Sequence, residues 1–251
     1  MHISEKKNKI KSNIKYNPGL YVVSTPIGNL EDITFRALEV FKNSDLIFCE
    51  DTRRSLKLMN YYNIKKKLFA YHKFNEKKLT HKIIDEIKMG KVISLISDAG
   101  TPCISDPGRE AIQECLKSGI KVYPIPGPSS ITSALSVSGM DEKFFFYGFL
   151  PNKNKEIERD LNNLKNINAS IIFFVSPQKI RNFISLIKKY FSNNKIFIAR
   201  EMTKMHEDYI RTNTSNLNES DILDKGEITV ILSNFQNQKH GSNQINEKLI
   251  E

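Results

Sequence analysis

The chain has 251 residues, a formal net charge of +10 and an isoelectric point of about 9.3. No apolar run reaches the roughly 18 residues of a membrane helix, and the basic start of the chain lacks the apolar core of a secretory signal. We therefore expect a cytoplasmic protein without a membrane partner. The charge favours a polyanion such as RNA, although lysine is also abundant in segments where it reflects composition alone.

Three cysteines are present, at Cys49, Cys103 and Cys115. An odd number without the C-x-x-C spacing of a zinc site predicts reduced thiols, and we expect no bound metal. Cys103 adjoins a loop of glycine and proline residues, but packing is the more common role of a lone cysteine. We assign it no chemistry.

In chain order, the first half alternates short apolar runs with patterns of helical spacing. The runs predict strands at residues 20–23, 46–48, 68–70, 92–96 and 122–125. Asp32 stands where the N-cap of the first helix is expected, and Asp106 and Pro107 where the fourth helix should begin. Gly90 and Gly119 are expected to end the third and fourth helices. Strands that alternate with helices indicate a parallel α/β sheet.

The periodicity lapses at residues 139–143, which we interpret as a linker. Beyond them the pattern predicts strands at residues 144–147, 171–175, 196–199 and 228–232, and helices at residues 155–165 and after Ser176 and Pro177. Residues 1–18 and 236–251 are polar, and we expect poorly ordered tails there. The sequence thus predicts an N-terminal α/β domain over residues 19–139 and a C-terminal one over residues 143–235.

Three of the predicted strand ends lead into loops that combine glycine with proline, at residues 25–29, 98–102 and 126–130. Ligands of open α/β sheets bind beyond the carboxyl ends of the strands, and such loops let backbone approach a ligand closely. One turn of this kind is usually only a turn, but three at one edge favour a shared pocket. Neither a P-loop nor a dinucleotide fingerprint is present, which disfavours ATP and NAD.

The segments LYVVSTPIGNLEDITFRALEVF, FCEDTR, ISDAGTPCISDPG, YPIPGPSS and AREMTK follow one another over roughly residues 20–235. Their order and spacing resemble the tetrapyrrole methylase superfamily and, within it, the family of ribosomal RNA small subunit methyltransferase I. The resemblance implies two α/β domains, with a mostly parallel sheet in the first and a mixed sheet in the second. It also implies a homodimer that binds S-adenosylmethionine between its domains and methylates the 2′-oxygen of a cytidine, cytidine 1402, in 16S ribosomal RNA. The expected partner is that RNA or the small ribosomal subunit.

The resemblance also implies which residues bind the cofactor. An adenosyl group needs an apolar slot with a few polar contacts, and a sulfonium tolerates a nearby carboxylate such as Asp98. Asp98 is equally suited to an Asx turn within its own loop. The implied cofactor residues from both domains are Ile27, Asp98, Gly100, Thr101, Ile104, Ser129, Ser130, Phe174 and Met202.

Methyl transfer to a ribose hydroxyl requires in-line alignment and is helped by a general base. The carboxylates at predicted strand ends are Glu50, Asp51, Asp106 and Glu201, and His72 is a weaker alternative. A carboxylate beside an arginine is often a structural ion pair, and a lone histidine often only a satisfied side chain. We prefer the cluster of Glu50, Asp51 and Arg53 as the catalytic residues.

Three positions depart from the family pattern. Val175 and Gln178 replace an expected glutamate and histidine, and Phe74 replaces an expected histidine. The alternatives are a methyltransferase of the same fold acting on a tetrapyrrole precursor or a translation factor, and a non-catalytic RNA-binding assembly protein. STPIGN together with SDAGTP favours the RNA branch, and the intact cofactor loops argue against a protein without activity.

Overall fold

The computed structural model describes residues 16–218, 222 and 224–235. They form two compact units, the first ending at Ser129 and the second beginning at Ser130. The tails predicted for the two ends of the chain lie outside the described residues, apart from residues 16–18. The predicted linker at residues 139–143 follows the first helix of the second unit.

The first unit is a five-stranded sheet whose neighbouring strands all pair in parallel, in the order β3-β2-β4-β1-β5. This arrangement confirms the predicted parallel α/β sheet. In chain order its elements are β1 (Gly19–Val23), α1 (Phe35–Asn43), β2 (Leu46–Cys49), α2 (Thr52–Tyr61), β3 (Lys67–Ala70), α3 (Glu76–Lys88), β4 (Val92–Ile96), α4 (Arg109–Lys117) and β5 (Val122–Ile125).

Helices cover both faces of this sheet, as parallel strands require. Alternate residues of the central strand β4 point to opposite faces because a strand has a period of two. Ile93 and Leu95 join a core with α3 and α4, whereas Val92 and Ile96 join a core with α1 and α2. Each such buried side chain contributes about 1.5–3 kcal/mol relative to an exposed one, so β4 anchors the unit.

The second unit is a five-stranded sheet in the order β6-β7-β10-β8-β9. Only β6 and β7 pair in parallel, and the other neighbours are antiparallel, which confirms the expected mixed sheet. Its elements are α5 (Ser130–Ser138), β6 (Phe144–Phe149), α6 (Asn154–Leu164), β7 (Ser170–Val175), α7 (Ile180–Tyr190), β8 (Lys195–Arg200), β9 (Asp208–Asn213) and β10 (Ile228–Ser233).

Strand β9 was not predicted from the sequence. It lies at the edge of the sheet, and its sequence DYIRTN carries polar side chains at most positions. Edge strands commonly carry polar and charged residues, so the apolar pattern that marks a buried strand is missing here. Pairing with β8 is what makes this segment a strand.

Two helix starts differ from the prediction. Asp32 belongs to a short 3₁₀ turn, and Thr34 is the N-cap of α1, where its hydroxyl accepts the N–H of Ala37 at 3.1 Å. Likewise α4 begins only after Gly108, which leaves Pro107 outside the helix. In both cases the predicted aspartate lies two positions before the observed N-cap, because loop geometry decides where helical dihedrals begin.

The predicted ends of two helices are confirmed. Gly90 and Gly119 follow the last residues of α3 and α4 by two positions and have φ values of 89° and 70°. Glycine adopts this left-handed conformation without the penalty that a Cβ brings, which is why it commonly ends helices.

None of the helices among the described residues is both long enough and apolar enough to cross a bilayer.

Gly108 should tolerate a side chain less well than Gly90 does. Its φ is 127°, and a Cβ would lie 2.6 Å from Cys103 Sγ and 2.8 Å from Leu95 Cδ2. Gly90 also has a positive φ, but a Cβ there would meet no atom of the described residues within 4 Å. We expect Gly90→Ala to lower the free energy of unfolding by about 1–2 kcal/mol, the cost of a left-handed backbone. Gly108→Ala should lose about 1–3 kcal/mol more through overpacking.

Urea denaturation of the two variants and the wild type measures this difference. Equal losses in both variants would contradict the steric account of Gly108.

Candidate active site

Loops from neighbouring strands meet at the carboxyl edge of the first unit's sheet. Thr25, after β1, and Gly100, after β4, exchange backbone hydrogen bonds of 2.9 and 3.0 Å. Gly100 has a φ of 76°, and a Cβ at that position would lie 3.4 Å from Ile27 Cγ2. The two loops are therefore clamped together with backbone and the Ile27 side chain in close contact.

Hydroxyl groups join the third loop to the first two. Thr101 Oγ1 lies 2.9 Å from Ser24 Oγ and donates to the carbonyl of Pro128 at 3.3 Å. Because a hydroxyl has one proton, Ser24 is the donor to Thr101 in this chain of bonds. A Cβ on Gly127 would lie 2.9 Å from the Cβ of Ser24, so the loop after β5 also packs closely on the loop after β1. The three loops therefore meet at one edge of the sheet, as the sequence predicted, and the shared pocket stays a prediction.

An acidic cluster, consisting of Glu50, Asp51 and Asp98, lies where β2 and β4 end. The carboxylate of Asp98 accepts the backbone N–H of Asp51 at 2.9 Å and lies 3.5 Å from Nε of Arg54. The backbone N–H of Asp98 in turn faces the Glu50 carboxylate. Asp51, which was predicted for catalysis, thus contacts Asp98, which was predicted for cofactor binding. The contact forms because β2 and β4 are neighbours in the sheet.

Asp51 has a structural role in this cluster. Its carboxylate accepts the N–H of Arg53 at 2.8 Å as the N-cap of α2, and it pairs with the Arg53 guanidinium at 2.6 Å. The Arg53 guanidinium and N–H hold the pKa of Asp51 well below its usual range. The interpretation of this pair as a structural ion pair therefore matches its contacts, and the catalytic role of Asp51 and Arg53 stays a prediction.

The other two carboxyls of the cluster are shifted in the opposite direction. Burial raises the pKa of Glu50, and the nearby charge of Asp98 raises it further. Burial likewise raises the pKa of Asp98, more than its hydrogen bond from Asp51 lowers it. A carboxylate with a raised pKa is a stronger base, so Glu50 is better suited to accept a proton than Asp51 is.

His72 stands beside Glu50, at the end of β3. It lies close enough to the Glu50 carboxyl to oppose the rise in the pKa of that group, and its Nε2 lies 3.2 Å from Nδ2 of Asn75. Its Nδ1 is buried and has no hydrogen-bond partner among the residues that the structure describes. A buried ring nitrogen without a partner is uncommon. The structure therefore gives a reason to consider His72 at this site that the sequence did not.

The remaining cofactor residues of the first unit lie around these loops. Ile104 is 41% exposed, between Cys103 and Ser105, whose φ values are 70° and 66°. Non-glycine residues rarely adopt this conformation, and strained backbone of this kind is frequent at ligand sites. Ser129 follows Pro128 at the end of the unit. Burial raises the pKa of the Cys103 thiol to about 11, which lowers the fraction of the reactive thiolate.

Three predicted cofactor residues belong to the second unit. Ser130 is the first residue of α5, Phe174 is half-buried on β7, and Met202 is buried just after β8. The Phe174 ring lies 5.0 Å from that of Phe146 and 5.5 Å from that of Phe149. Each residue is ordered within its own unit, and its contact with a cofactor stays a prediction.

The alternative base Glu201 has structural partners. It follows β8, and its Oε1 accepts Lys204 Nζ and the N–H of Glu227, both at 2.8 Å. Burial opposes its ionisation, but these hydrogen bonds outweigh burial and lower its pKa. A carboxyl that is bonded and ionised in this way is a poor proton acceptor.

The departures from the family pattern fall into two environments. Val175 is 5% exposed within the core of the second unit, whereas Gln178 is exposed on a 3₁₀ turn before α7. The predicted cap at Ser176 makes no side-chain capping bond there. Phe74 is 95% exposed, beside His72.

Within the described part of the chain, no group of three or more His, Cys, Asp or Glu side chains is arranged to hold a metal ion.

Comparison with known proteins assigns the family. A sequence profile of the family described as Tetrapyrrole (Corrin/Porphyrin) Methylases matches residues 19–218. The chain belongs to this family. A ribosomal RNA small subunit methyltransferase I of Thermotoga maritima is 46% identical over 217 residues, which cover 85% of this chain and 97% of the relative. The protein of the same name from Bacillus subtilis is 40% identical over 225 residues, 88% of this chain and 76% of the relative.

Solved structures share the fold at low sequence identity. Diphthine synthase superposes with a TM-score of 0.66 at 14% identity, over 85% of this chain and 89% of that one. Uroporphyrin-III C-methyl transferase from Thermus thermophilus, complexed with S-adenyl homocysteine, has a TM-score of 0.60 at 14% identity, over 85% and 96%. These structures confirm the tetrapyrrole methylase fold of this chain.

The charge of Asp98 should reduce the stability of the fold. Because burial raises its pKa, the folded state holds this proton more tightly than the unfolded chain, so stability falls as the pH rises above 3.8 through the folded-state pKa. Asp98→Asn removes the charge and keeps an oxygen for the Asp51 N–H. We expect this variant to need more urea for unfolding than the wild type at neutral pH, with the difference vanishing below pH 3.8.

Asp51→Asn is the matched control, because Arg53 lowers the pKa of Asp51 and its charge therefore stabilises the fold. That variant should unfold at less urea than the wild type at neutral pH. If both variants shift in the same direction, the electrostatic account of the cluster is wrong.

Proposed function

We propose that this protein is an S-adenosylmethionine-dependent methyltransferase that methylates the ribose 2′-oxygen of a cytidine in 16S ribosomal RNA. The observation that carries the proposal is the clamped set of loops beside a partly buried acidic cluster at one sheet edge, in a chain whose relatives are named as ribosomal RNA methyltransferases. Cytoplasmic localisation and a homodimer belong to the same proposal.

The chemistry of the clamped loops fits the proposed cofactor. Ile27 supplies an apolar side chain, Gly100 lies against it without a Cβ, and Thr101 holds the loops in place. The Asp98 carboxylate provides a negative charge suited to the cationic end of the ligand. When bound, S-adenosylmethionine supplies an electrophilic methyl group. The bound S-adenyl homocysteine of the Thermus thermophilus structure supports this assignment.

We assign acceptance of the 2′-hydroxyl proton to Glu50. Its pKa is raised by burial and by Asp98, while Arg54 and His72 lie close enough to favour its charged form. A carboxylate with a raised pKa takes up a proton more readily than an exposed carboxylate does. Asp51 and Arg53 position Glu50 by fixing the first turn of α2 directly after it.

Removing the Thr101 hydroxyl should weaken cofactor binding. Thr101→Val keeps the shape of the side chain and loses the hydrogen bonds to Ser24 and Pro128. We expect about a tenfold higher Kd for S-adenosylmethionine, since each such bond contributes about 0.5–1.5 kcal/mol. Isothermal titration calorimetry measures this. Thr101→Ser, which retains the hydroxyl, is the control and should bind nearly as well as the wild type.

Methyl transfer from labelled S-adenosylmethionine tests the function itself. The acceptors are small ribosomal subunits, free 16S RNA and a tetrapyrrole extract, and label on a ribose of the RNA is the expected outcome. Label on a tetrapyrrole or on a protein would support the alternative methyltransferases, and absent cofactor binding would exclude the whole class.

Glu50→Gln should lower kcat by about a hundredfold or more and leave cofactor affinity unchanged. The wild-type rate should rise with pH through the raised pKa of Glu50. This dependence should be absent in the variant. A variant with full activity would remove Glu50 from the mechanism.

A further inference from the structure

Phe74 is an exposed aromatic side chain on a well-fixed turn. It is 95% exposed, the largest value among the aromatic residues that the structure describes. The turn is fixed by Asn75, which donates to the carbonyl of Ala70 at 2.9 Å and accepts the N–H of His72 at 2.9 Å. The ring is therefore presented to solvent by backbone that is already ordered, which reduces the entropy lost when a ligand binds to it.

The surroundings of Phe74 are basic. Exposed lysines adjoin it on both sides in the chain, at Lys73, Lys77 and Lys78. The neighbouring edge strand β3 continues this character, because Lys82 Nζ lies 3.9 Å and Lys67 Nζ 5.2 Å from the centre of the Phe69 ring. Lysine is depleted at protein interfaces, whereas aromatic rings among basic residues are the common platform for single-stranded nucleic acid. The composition of this patch favours RNA over a protein partner.

The patch is continuous with the acidic cluster. The Phe74 ring stands 6.0 Å from the ring of His72, in an edge-to-face arrangement. Tyr71 donates its backbone N–H to the carbonyl of Cys49 at 2.7 Å, so His72 and Glu50 follow paired parallel strands at the same edge of the sheet. A nucleotide next to the one whose hydroxyl reaches Glu50 can thus contact Phe74 without leaving the edge of the sheet.

We propose that Phe74 stacks against a nucleobase of single-stranded RNA adjacent to the methylated nucleotide, while Lys73, Lys77 and Lys78 bind the neighbouring phosphates. This inference rests on the proposed RNA substrate. It assigns a function to a position where the chain departs from its family pattern. The stacking requires an unpaired base, because bases within a duplex have no free face.

Fluorescence anisotropy with a labelled single-stranded oligoribonucleotide tests the platform. Phe74→Ala should raise Kd about tenfold, since stacking of one base on an aromatic ring contributes an effect of this order. Phe74→Trp should restore the affinity, whereas Phe74→Leu, which is apolar but not aromatic, should not. The same strand annealed to its complement should bind the wild type and Phe74→Ala equally. 2-Aminopurine in the strand should be quenched by the wild type and not by Phe74→Ala.

The lysines are tested by the salt dependence of the same binding. Replacing Lys77 and Lys78 together by glutamine should reduce the slope of log Kd against log salt concentration. Lys88→Gln, at the far end of α3, and Tyr61→Ala, an exposed aromatic at the end of α2, are the matched controls. Neither control should change RNA affinity by more than about twofold, the effect of losing one distant charge or ring.

The outcomes separate this inference from the proposed function. If the wild type methylates RNA and Phe74→Ala binds the single strand as well as the wild type does, the platform is refuted while the function stands. If the wild type binds single strands through Phe74 but transfers no methyl group, the function fails and the platform stands. A change of oligomeric state in Phe74→Ala by analytical ultracentrifugation, with RNA affinity unchanged, would assign the ring to a contact between protein chains instead.

Discussion

The backbone hydrogen bonds that Thr25 and Gly100 exchange hold together the loops on which the rest of the candidate site depends. They form because β1 and β4 are parallel neighbours, so that both chains leave the sheet at the same edge. The positive φ of Gly100 explains why a glycine is favoured there, because a side chain in this conformation is strained. Thr101 then connects this pair to the loop after β5.

The same strand order creates the acidic cluster. Because β2 lies on the other side of β4, Glu50 and Asp98 meet across the edge, and both carboxyls are partly buried. Two such groups in one place oppose each other's ionisation and reduce stability. Arrangements of this kind are frequent in active sites, where function is maintained at a cost to stability. Asp51 differs from them, because its ion pair with Arg53 favours the charged carboxylate.

Part of the excess of basic residues lies beside the edge strand β3. Beyond β2, the edge strand β3 leads into the turn that carries Phe74 and then into the lysine-rich start of α3. The acidic cluster and this basic patch are neighbours, linked through His72. The carboxylates repel an anionic chain. Its attraction to this edge of the sheet would therefore come from the lysines and the aromatic ring of the patch.

The sequence by itself determined the parts of this protein that depend on local pattern. The run at β4 is apolar throughout and identifies a buried strand, and Gly90 and Gly119 end their helices because only glycine adopts that backbone without strain. The motifs of the loops identified the family. Strand β9 was missed because its polar pattern becomes a strand only by pairing with β8.

Tertiary structure alone decided which distant residues meet. Asp98 contacts Asp51 across 47 positions of sequence, and this contact follows from the order of strands in the sheet, which no local pattern encodes. The direction of each pKa shift was decided in the same way, because burial raises the pKa values of Glu50 and Asp98. The exposure of Phe74 likewise depends on how the turn after β3 is held. Sequence specifies the segments, and the packing of those segments specifies the chemistry at their ends.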